Sequence, residues 1–289
     1  MKIIDGKKIR DKILLKIKKE VASLSFQPVF CDVLVDKNKA SVQYVKMKKQ
    51  NAEKIGIRFR HANFPATIKT EDLIKKIKIL NKIPNMCGII VQLPLPKTLD
   101  RKKILDAIDP KLDVDCLGAD ASEKFYSGST AGGSPAALAC MELLDSTNVS
   151  LKNKKIVILG QGDLVGKPVS ALLKFRGFSP IIITSKSFNK KKLIKQADIV
   201  ISGIGKGKYI TGDMIKKGAI LIDAGTSEEK SSPPSEQGRV NIVGDIDFKS
   251  VKGLASFISP VPGGVGPVTV AMLFNNVLKV AKTRSLHFF

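Results

Sequence analysis

ISPVPGGVGPVTVAMLFNN, residues 258–276, joins a stiff loop to a long apolar segment. Pro260 and Pro262 favour an extended path, because the proline ring fixes φ. Pro267 suits the first turn of a helix, and the apolar run after it predicts a well-buried helix over residues 268–281. The sequence therefore predicts a loop that leads directly into a long buried helix.

The loop before this helix has almost no side chains, since three of its residues are glycines. A ligand can lie against such bare backbone, and the free N–H groups that open a helix can hold anionic or carbonyl groups. The alternative is a rigid connection between two elements, and composition alone does not separate the two interpretations. The loop consists of Pro262, Gly263, Gly264, Val265, Gly266 and Pro267.

The composition is that of a globular protein with a large core. The chain has 289 residues, 43% of them hydrophobic, and this length suggests one large or two medium domains. No apolar run approaches the roughly 20 residues of a membrane span, and residues 1–15 lack the apolar region of a signal peptide. The cysteines form no C-x-x-C pair, which indicates reduced thiols and a cytoplasmic protein. They are Cys31, Cys87, Cys116 and Cys140.

The net charge of +23 raises nucleic-acid binding as an interpretation. The lysines are spread along the whole chain, aromatic residues make up 6%, and tryptophan is absent. Base stacking needs aromatic side chains among the basic ones. The composition therefore argues against nucleic acid as a partner, and the charge would equally favour a polyanionic small molecule.

The first part of the chain alternates helices with apolar strands, which predicts a parallel sheet. A turn is predicted at residues 36–38, and the glycine-rich residues 109–134 are predicted to be irregular. We predict helices over residues 5–24, 40–55, 71–81 and 101–108, and strands over residues 30–35, 58–64 and 86–95.

The second part has the spacing of a doubly wound, Rossmann-type nucleotide-binding domain. We predict helices over residues 135–144 and 167–175, strands over residues 155–160, 180–184, 198–202, 219–224 and 241–243, and a polar loop at residues 228–238. The resulting α/β organisation has an N-terminal domain at residues 1–134 and a nucleotide domain at residues 135–267. A C-terminal helix at residues 268–289 is expected to return to the first domain.

Residues 160–168, GQGDLVGKP, follow the first strand of the second domain and open a helix. In this position glycines let a pyrophosphate approach the helix N-terminus, although the glycine pattern alone would fit any tight turn. The next strand ends at Ser185 and Lys186, so no acid stands there to grip a free ribose 2′-hydroxyl. The glycines of the turn are Gly160, Gly162 and Gly166.

Three further segments carry polar groups suited to chemistry. Tyr44 and Lys48 are four residues apart and share a helix face, where a ring could stack and a proton could move, although a solvated lysine face is the simpler interpretation. Gln92 is polar within an apolar run, either functional or satisfied by backbone at a strand end. Asp113 and Asp115 could bind a metal, but no histidine or third acid accompanies them, so no metal site is expected.

Several of these segments resemble the methylenetetrahydrofolate dehydrogenase/cyclohydrolase family. PVPGGVGPVTVAML at residues 260–273 is similar to its C-terminal signature. SVQYVKMKK at residues 41–49 matches the motif S-x-x-Y-V-x-x-K, and VQLPLP at residues 91–96 matches a further motif. LIDAGT and IVGDIDF also match, at residues 221–226 and 242–248. The resemblance covers almost the whole chain.

The resemblance implies a folate site in the N-terminal domain. It makes Lys48 the catalytic proton-transfer residue and Tyr44 its stacking partner for the substrate ring. Gln92 would hydrogen-bond Lys48 and tune it, and Asp115 would hold the amino groups of the pterin. The implied substrate-binding residues are Tyr44, Val91, Gln92, Leu93, Asp115 and the loop from Pro262 to Pro267.

The resemblance also implies NADP as cofactor. Gln161 stands where the family has an arginine that favours the NADP phosphate, and Gly162 stands where it has serine. Lys186 could replace the missing positive charge, and NAD stays possible. The implied cofactor-binding residues are Gly160, Gln161, Gly162, Gly166, Ser185, Lys186 and Thr226.

Two other segments depart from the family pattern. Cys116 replaces the glycine of D-V-D-G, and GGSP at residues 132–135 replaces P-C-T-P. Both changes affect the expected geometry of the folate pocket, and neither affects the lysine.

The implied activity is oxidation of methylenetetrahydrofolate with NADP, followed by hydrolysis of the methenyl form to formyltetrahydrofolate. The substrate class includes polyglutamylated folates, and the implied assembly is a homodimer that pairs through the nucleotide domain. One alternative is a monofunctional cyclohydrolase whose altered nucleotide turn no longer binds cofactor. Another is a basic Rossmann-type protein that binds nucleic acid without catalysis.

Overall fold

The computed structural model describes residues 1–36, 39–130, 132–229 and 241–286, without the side chains of residues 39–41 and 43. The helices are α1 (Gly6–Ala22), α2 (Lys39–Lys54), α3 (Thr70–Leu80), α4 (Arg101–Leu105), α5 (Ala119–Tyr126), α6 (Pro135–Asp145), α7 (Gly166–Phe175), α8 (Lys190–Lys195) and α9 (Val265–Ser285). The strands are β1 (Lys2–Ile3), β2 (Val29–Val35), β3 (Arg58–Phe64), β4 (Met86–Val91), β5 (Ile156–Leu159), β6 (Ile181–Ile183), β7 (Ile199–Ser202), β8 (Ile220–Asp223), β9 (Ser227–Glu228), β10 (Ile242–Val243) and β11 (Phe257–Ile258).

The chain separates into two compact units. The three-stranded unit consists of residues 11–135 and the chain from residue 270 onward, and the six-stranded unit consists of residues 1–10 and 136–269. Each unit contains a parallel sheet with helices, so the α/β class expected from the sequence is confirmed.

The sheet of the three-stranded unit has the order β3–β2–β4, with all strands parallel. Every residue of β2 is buried, as expected for a central parallel strand covered on both faces. Phe30 packs edge-on against Phe274 of α9, with 5.5 Å between ring centroids. The residues on either side of Phe30 belong instead to the core formed with α3 and α4.

The long C-terminal helix packs within the three-stranded unit after its first turn. Its buried residues, from Val270 to Ala281, share a core with α1 and β2. Lys282 near its end also forms an ion pair with Glu20 of α1. The predicted return of this helix to the first domain is therefore confirmed.

The six-stranded unit has the strand order β1–β11–β8–β7–β5–β6, also parallel throughout. Apart from β1, this is a doubly wound arrangement, whose strand order reverses between β5 and β7. The main-chain N–H groups of Lys2 and Ile4 donate to Ser256 and Ile258 over 2.7 and 2.8 Å. The first residues of the chain thus form an edge of this sheet, and the domain limits 1–134, 135–267 and 268–289 stay a prediction.

Several elements differ from their predicted form. Helix α5 lies within residues 109–134, which were expected to be irregular, because only Ala121 and Phe125 are buried on its inner face and give a weak periodic signal. Strand β4 ends at Val91, short of the predicted residue 95, since Pro94 and Pro96 cannot donate to a ladder. These two differences involve the segments that carry the candidate folate residues.

Further differences lie in the second half of the chain. Strand β10 pairs antiparallel with β9 and does not join the parallel sheet. Helix α9 begins at Val265, so Gly266 lies in its first turn and not in the loop. The predicted turn at residues 36–38 and the polar loop at residues 228–238 fall largely outside the described residues. Among the described helices, none is long and apolar enough to cross a membrane.

Asn276 of α9 ties the segments on either side of α5 to this helix. Its Nδ2 donates to the carbonyls of Val114 and Gly133 over 2.9 and 2.8 Å, and the side chain is buried. Asn276→Leu leaves both carbonyls without this donor, so we expect the free energy of unfolding to fall by about 1–3 kcal/mol.

Urea unfolding of the two proteins measures this change. Asn275→Leu is the matched control, because Asn275 is the preceding residue and only half-buried. Equal stability of Asn276→Leu and the control would contradict the anchoring role of Asn276.

Candidate active site

Lys48 is a lysine buried inside the three-stranded unit, with only 5% of its surface exposed. It lies on α2, one turn after the partly exposed Tyr44. Its Nζ donates to Oε1 of Gln92 over 2.7 Å. The structure thus brings together Lys48 and Gln92, which are separated by 44 residues in the chain.

Gln92 is fixed by hydrogen bonds of both its main chain and its side chain. It directly follows β4, and its main-chain N–H donates to the carbonyl of Val33 over 2.8 Å. Its Nε2 donates to the carbonyl of Leu93 over 3.2 Å, which turns Oε1 toward Lys48. Val91 is buried at the end of β4, and Leu93 is half-buried. The amide is therefore oriented as an acceptor for the lysine.

Asp32 is a component of the site that sequence reasoning missed. It lies in the middle of β2, is fully buried, and places Oδ2 2.6 Å from Nζ of Lys48. This contact is an ion pair, and among the described residues neither carboxylate oxygen of Asp32 has a hydrogen-bond partner. The sequence feature that could have identified Asp32 is a single acid within the apolar strand VFCDVLV.

The two acids of residues 113–115 have different roles. Asp113 is buried and accepts main-chain N–H bonds from Asp115, Leu117 and Gly118, over 3.2, 2.9 and 2.7 Å. This carboxylate therefore organises the turn. No group of three potential metal ligands occurs among the described residues.

Asp115 is the acid whose charge is coupled to Lys48. Burial raises the pKa of its carboxyl group to about 7, and repulsion from Asp113 and Asp32 adds to this effect. The positive charge of Lys48 acts in the opposite direction. The pKa of Asp115 therefore lies close to neutral pH and depends on the charges of Lys48 and Asp32.

Cys116 occupies the position where the family pattern has glycine. Its φ is 56°, in the left-handed region that glycine adopts without strain. A non-glycine residue there carries a conformational cost of about 1–3 kcal/mol. Burial raises the pKa of its thiol to about 12, so the sulfur is not a nucleophile at neutral pH.

The nucleotide turn follows β5 in the six-stranded unit, at the reversal of strand order, where such sheets bind ligands. Gly160 has a φ of +96°. A Cβ on Gly166, in the first turn of α7, would lie only 2.1 Å from the carbonyl oxygen of Gly160. Val165 caps α7 without a side-chain hydrogen bond, and the space around Gly162 is open. The turn therefore fits a pyrophosphate held by main-chain N–H groups.

Gln161 directs its side chain back onto this turn, where Nε2 donates to the carbonyl of Gly160 over 2.8 Å. Ser185 and Lys186 are exposed just after β6. Lys190, which sequence reasoning missed, donates from Nζ to the carbonyl of Ser185 over 2.7 Å. A second ammonium group is thus held at the end of this strand.

The remaining predicted residues also lie in the six-stranded unit, where Thr226 is exposed shortly after β8. The loop before α9 is tightly folded, because the N–H of Gly264 donates to the carbonyl of Pro260 over 2.7 Å. A Cβ on Gly6 would lie 1.9 Å from the carbonyl oxygen of Gly264, so the loop packs against the start of α1. Gly264 and Val265 are buried, Gly263 and Pro267 are half-buried, and Pro262 and Gly266 are exposed.

Comparison with known proteins covers both units. Residues 4–115 match the model of the catalytic domain of tetrahydrofolate dehydrogenase/cyclohydrolase, and residues 134–285 match that of its NAD(P)-binding domain. The bifunctional protein FolD of Rickettsia bellii is 42% identical, covering 98% of this chain and 99% of the relative. That of Nautilia profundicola is 40% identical, covering 98% of each chain.

Solved structures agree with these matches. The bifunctional FolD enzyme of Campylobacter jejuni superposes with a TM-score of 0.90 at 33% identity, covering 98% of this chain and 99% of that one. FolD from Trypanosoma brucei, in complex with NADP cofactor and inhibitor, has a TM-score of 0.92 at 33% identity, covering 98% and 97%. The chain therefore belongs to the tetrahydrofolate dehydrogenase/cyclohydrolase family.

Proposed function

We propose that the protein is a bifunctional methylenetetrahydrofolate dehydrogenase and methenyltetrahydrofolate cyclohydrolase that uses NADP. Full-length similarity to bifunctional relatives supports both activities. The observation that carries the proposal is the buried Lys48, whose Nζ donates to Gln92. A lysine so enclosed and oriented is equipped to handle a proton.

The residues of the three-stranded unit would bind and orient the folate. Tyr44 is partly exposed and can stack against the pterin ring. Asp115, once ionised, can accept hydrogen bonds from the pterin amino groups. In hydrolysis, water adds to the methenyl carbon and one of its bonds to nitrogen breaks. Lys48 would carry the proton between these groups, and Gln92 would fix its Nζ.

The six-stranded unit would hold NADP, which accepts a hydride from the substrate when it is bound. The main-chain N–H groups after β5 would bind the pyrophosphate. Lys186 and Lys190 would supply positive charge at the end of β6, near the expected place of the 2′-phosphate. Gln161 cannot make the two-pronged charged contact of an arginine.

A monofunctional cyclohydrolase is the second candidate, and one observation favours it. The side chain of Gln161 is bonded to the carbonyl of Gly160 within its own turn and does not point outward as a phosphate ligand. A cofactor-fluorescence titration separates the two candidates, because only the bifunctional enzyme binds NADP.

We also propose a homodimer that pairs through the nucleotide domain, in the cytoplasm, with polyglutamylated folates among its substrates. Phe175 and Phe188, both in the six-stranded unit, are 52% and 89% exposed. An association surface on this unit could bury these two apolar side chains. Light scattering on purified protein measures the oligomeric state.

The high positive charge of the chain would attract the anionic tail of a polyglutamylated folate, and this supports the proposed substrate class.

Lys48→Met should reduce methenyl hydrolysis by about 10²- to 10⁴-fold, the usual contribution of an acid–base group. It should also lower the free energy of unfolding by about 3–5 kcal/mol, because Asp32 is left as an unpaired buried charge. Loss of the methenyl absorbance measures the first effect, and urea unfolding measures the second. Lys46→Met, on the exposed face of α2, is the control. Near wild-type hydrolysis by Lys48→Met would remove this residue from the mechanism.

Asp115→Ala should weaken folate binding much more than NADP binding. The pKa of Asp115 is raised to about 7, so the carboxylate forms as pH rises through this value. Folate affinity of the wild type should therefore increase from pH 6 to pH 8, and the variant should lose this dependence. Calorimetric titrations at several pH values measure both, with the exposed Asp120→Ala as control. Equal losses for folate and NADP would indicate a structural role in the turn.

Lys186→Ala should reduce NADP affinity about ten- to a hundredfold and leave NAD affinity nearly unchanged, since a charged hydrogen bond contributes about 1.5–3 kcal/mol. The wild type should prefer NADP by a narrower margin than relatives that have arginine in place of Gln161. Dissociation constants for both cofactors decide the point, with the exposed Lys192→Ala as control. Equal loss for both cofactors would exclude Lys186 as the phosphate-binding residue.

A further inference from the structure

Asp32 is a charged residue in an environment that otherwise excludes charge. It is the fourth residue of the fully buried strand β2, with Cys31 and Val33 as its neighbours. None of its surface is exposed. Burying a carboxylate is strongly unfavourable unless a partner compensates its charge. Lys48 is that partner, at 2.6 Å.

The ammonium group of Lys48 is held between oxygens carried by two adjacent strands. Asp32 lies within β2, and Gln92 follows β4, which pairs with β2. The distances from Nζ to Asp32 Oδ2 and to Gln92 Oε1 are 2.6 and 2.7 Å. A lysine side chain is long and flexible, and the two contacts with Asp32 and Gln92 fix the direction of its ammonium group.

We propose that Asp32 is a positioning residue for Lys48. Asp32 holds the ammonium group of Lys48 beside Gln92 and balances its charge within the site. This inference rests on the proposed role of Lys48 as the proton-transfer residue. Asp32 would not contact the folate, because it is enclosed by the strand and by Lys48. It would act through Lys48 and through the charge that reaches Asp115.

The charges around Lys48 come from several elements. Asp32 belongs to β2, Tyr44 shares the face of α2 with Lys48, and Asp113 and Asp115 lie in the turn after α4. His61 of β3 pairs in register with Asp32 and is exposed. Asp32 raises the pKa of Asp115 and Lys48 lowers it. Removing the charge of Asp32 alone leaves Lys48 uncompensated, and the pKa of Asp115 should then fall.

Asp32→Asn tests the proposal, since it keeps the shape of the side chain and removes its charge. We expect kcat for methenyl hydrolysis to fall about ten- to a hundredfold, the effect of a misplaced catalytic group. The pH inflection in the KM for folate should move below its wild-type value, and NADP affinity should stay unchanged. Asp36→Asn removes an exposed acid that directly follows β2, the strand that contains Asp32, and is the matched control. Hydrolysis by Asp32→Asn with wild-type kcat and pH profile would overturn the proposal.

A second comparison applies even if Asp32→Asn folds poorly. Lys48→Met leaves Asp32 buried and unpaired, whereas Lys48→Met with Asp32→Val replaces the whole ion pair by apolar groups. The double variant should have a higher melting temperature than Lys48→Met and should remain equally inactive in hydrolysis. Equal melting temperatures would overturn the ion-pair assignment. Retained hydrolysis by Lys48→Met would instead refute the proposed function of the lysine, so the two failures are distinguishable.

Discussion

The buried ion pair between Lys48 and Asp32 constrains the three-stranded unit. Two opposite charges removed from water are stable only when they remain close together, and these groups are 2.6 Å apart. The pair therefore fixes α2 against β2, and the bond from Lys48 to Gln92 extends this constraint to the end of β4. The contacts with Asp32 and Gln92 that orient Lys48 are the same contacts that allow the fold to bury it.

Strand order explains where both candidate sites lie. In the three-stranded unit the chain continues from β2 to β3 on one side and to β4 on the other, so the order reverses between β2 and β4. Gln92 directly follows β4 at that point. In the six-stranded unit the order reverses between β5 and β7, where the nucleotide turn begins. Open parallel sheets leave a crevice at such a reversal, which main-chain and side-chain groups can line.

Sequence patterns predicted the helices and strands well where burial is periodic or continuous. Strand β3 was predicted at its observed limits, whereas α5 was missed because only Ala121 and Phe125 of that helix are buried. The pairing of Lys48 with Gln92 followed from a family motif. Asp32 could not be assigned in the same way, because its role depends on which side chain of α2 faces β2. That information exists only after the chain is folded.

The two units differ in how their departures from the family pattern are compensated. Cys116 adopts a left-handed conformation, and Asp113 accepts bonds from three main-chain N–H groups there, which fix the turn that carries Asp115. In the nucleotide turn, Gln161 bonds to its own loop, and no new charge replaces the arginine at that position. The positive charge proposed to take its place is that of the lysines after β6. The three-stranded unit is thus organised around one buried charge pair, whereas the lysines proposed to select the cofactor are exposed, and salt would screen their charge.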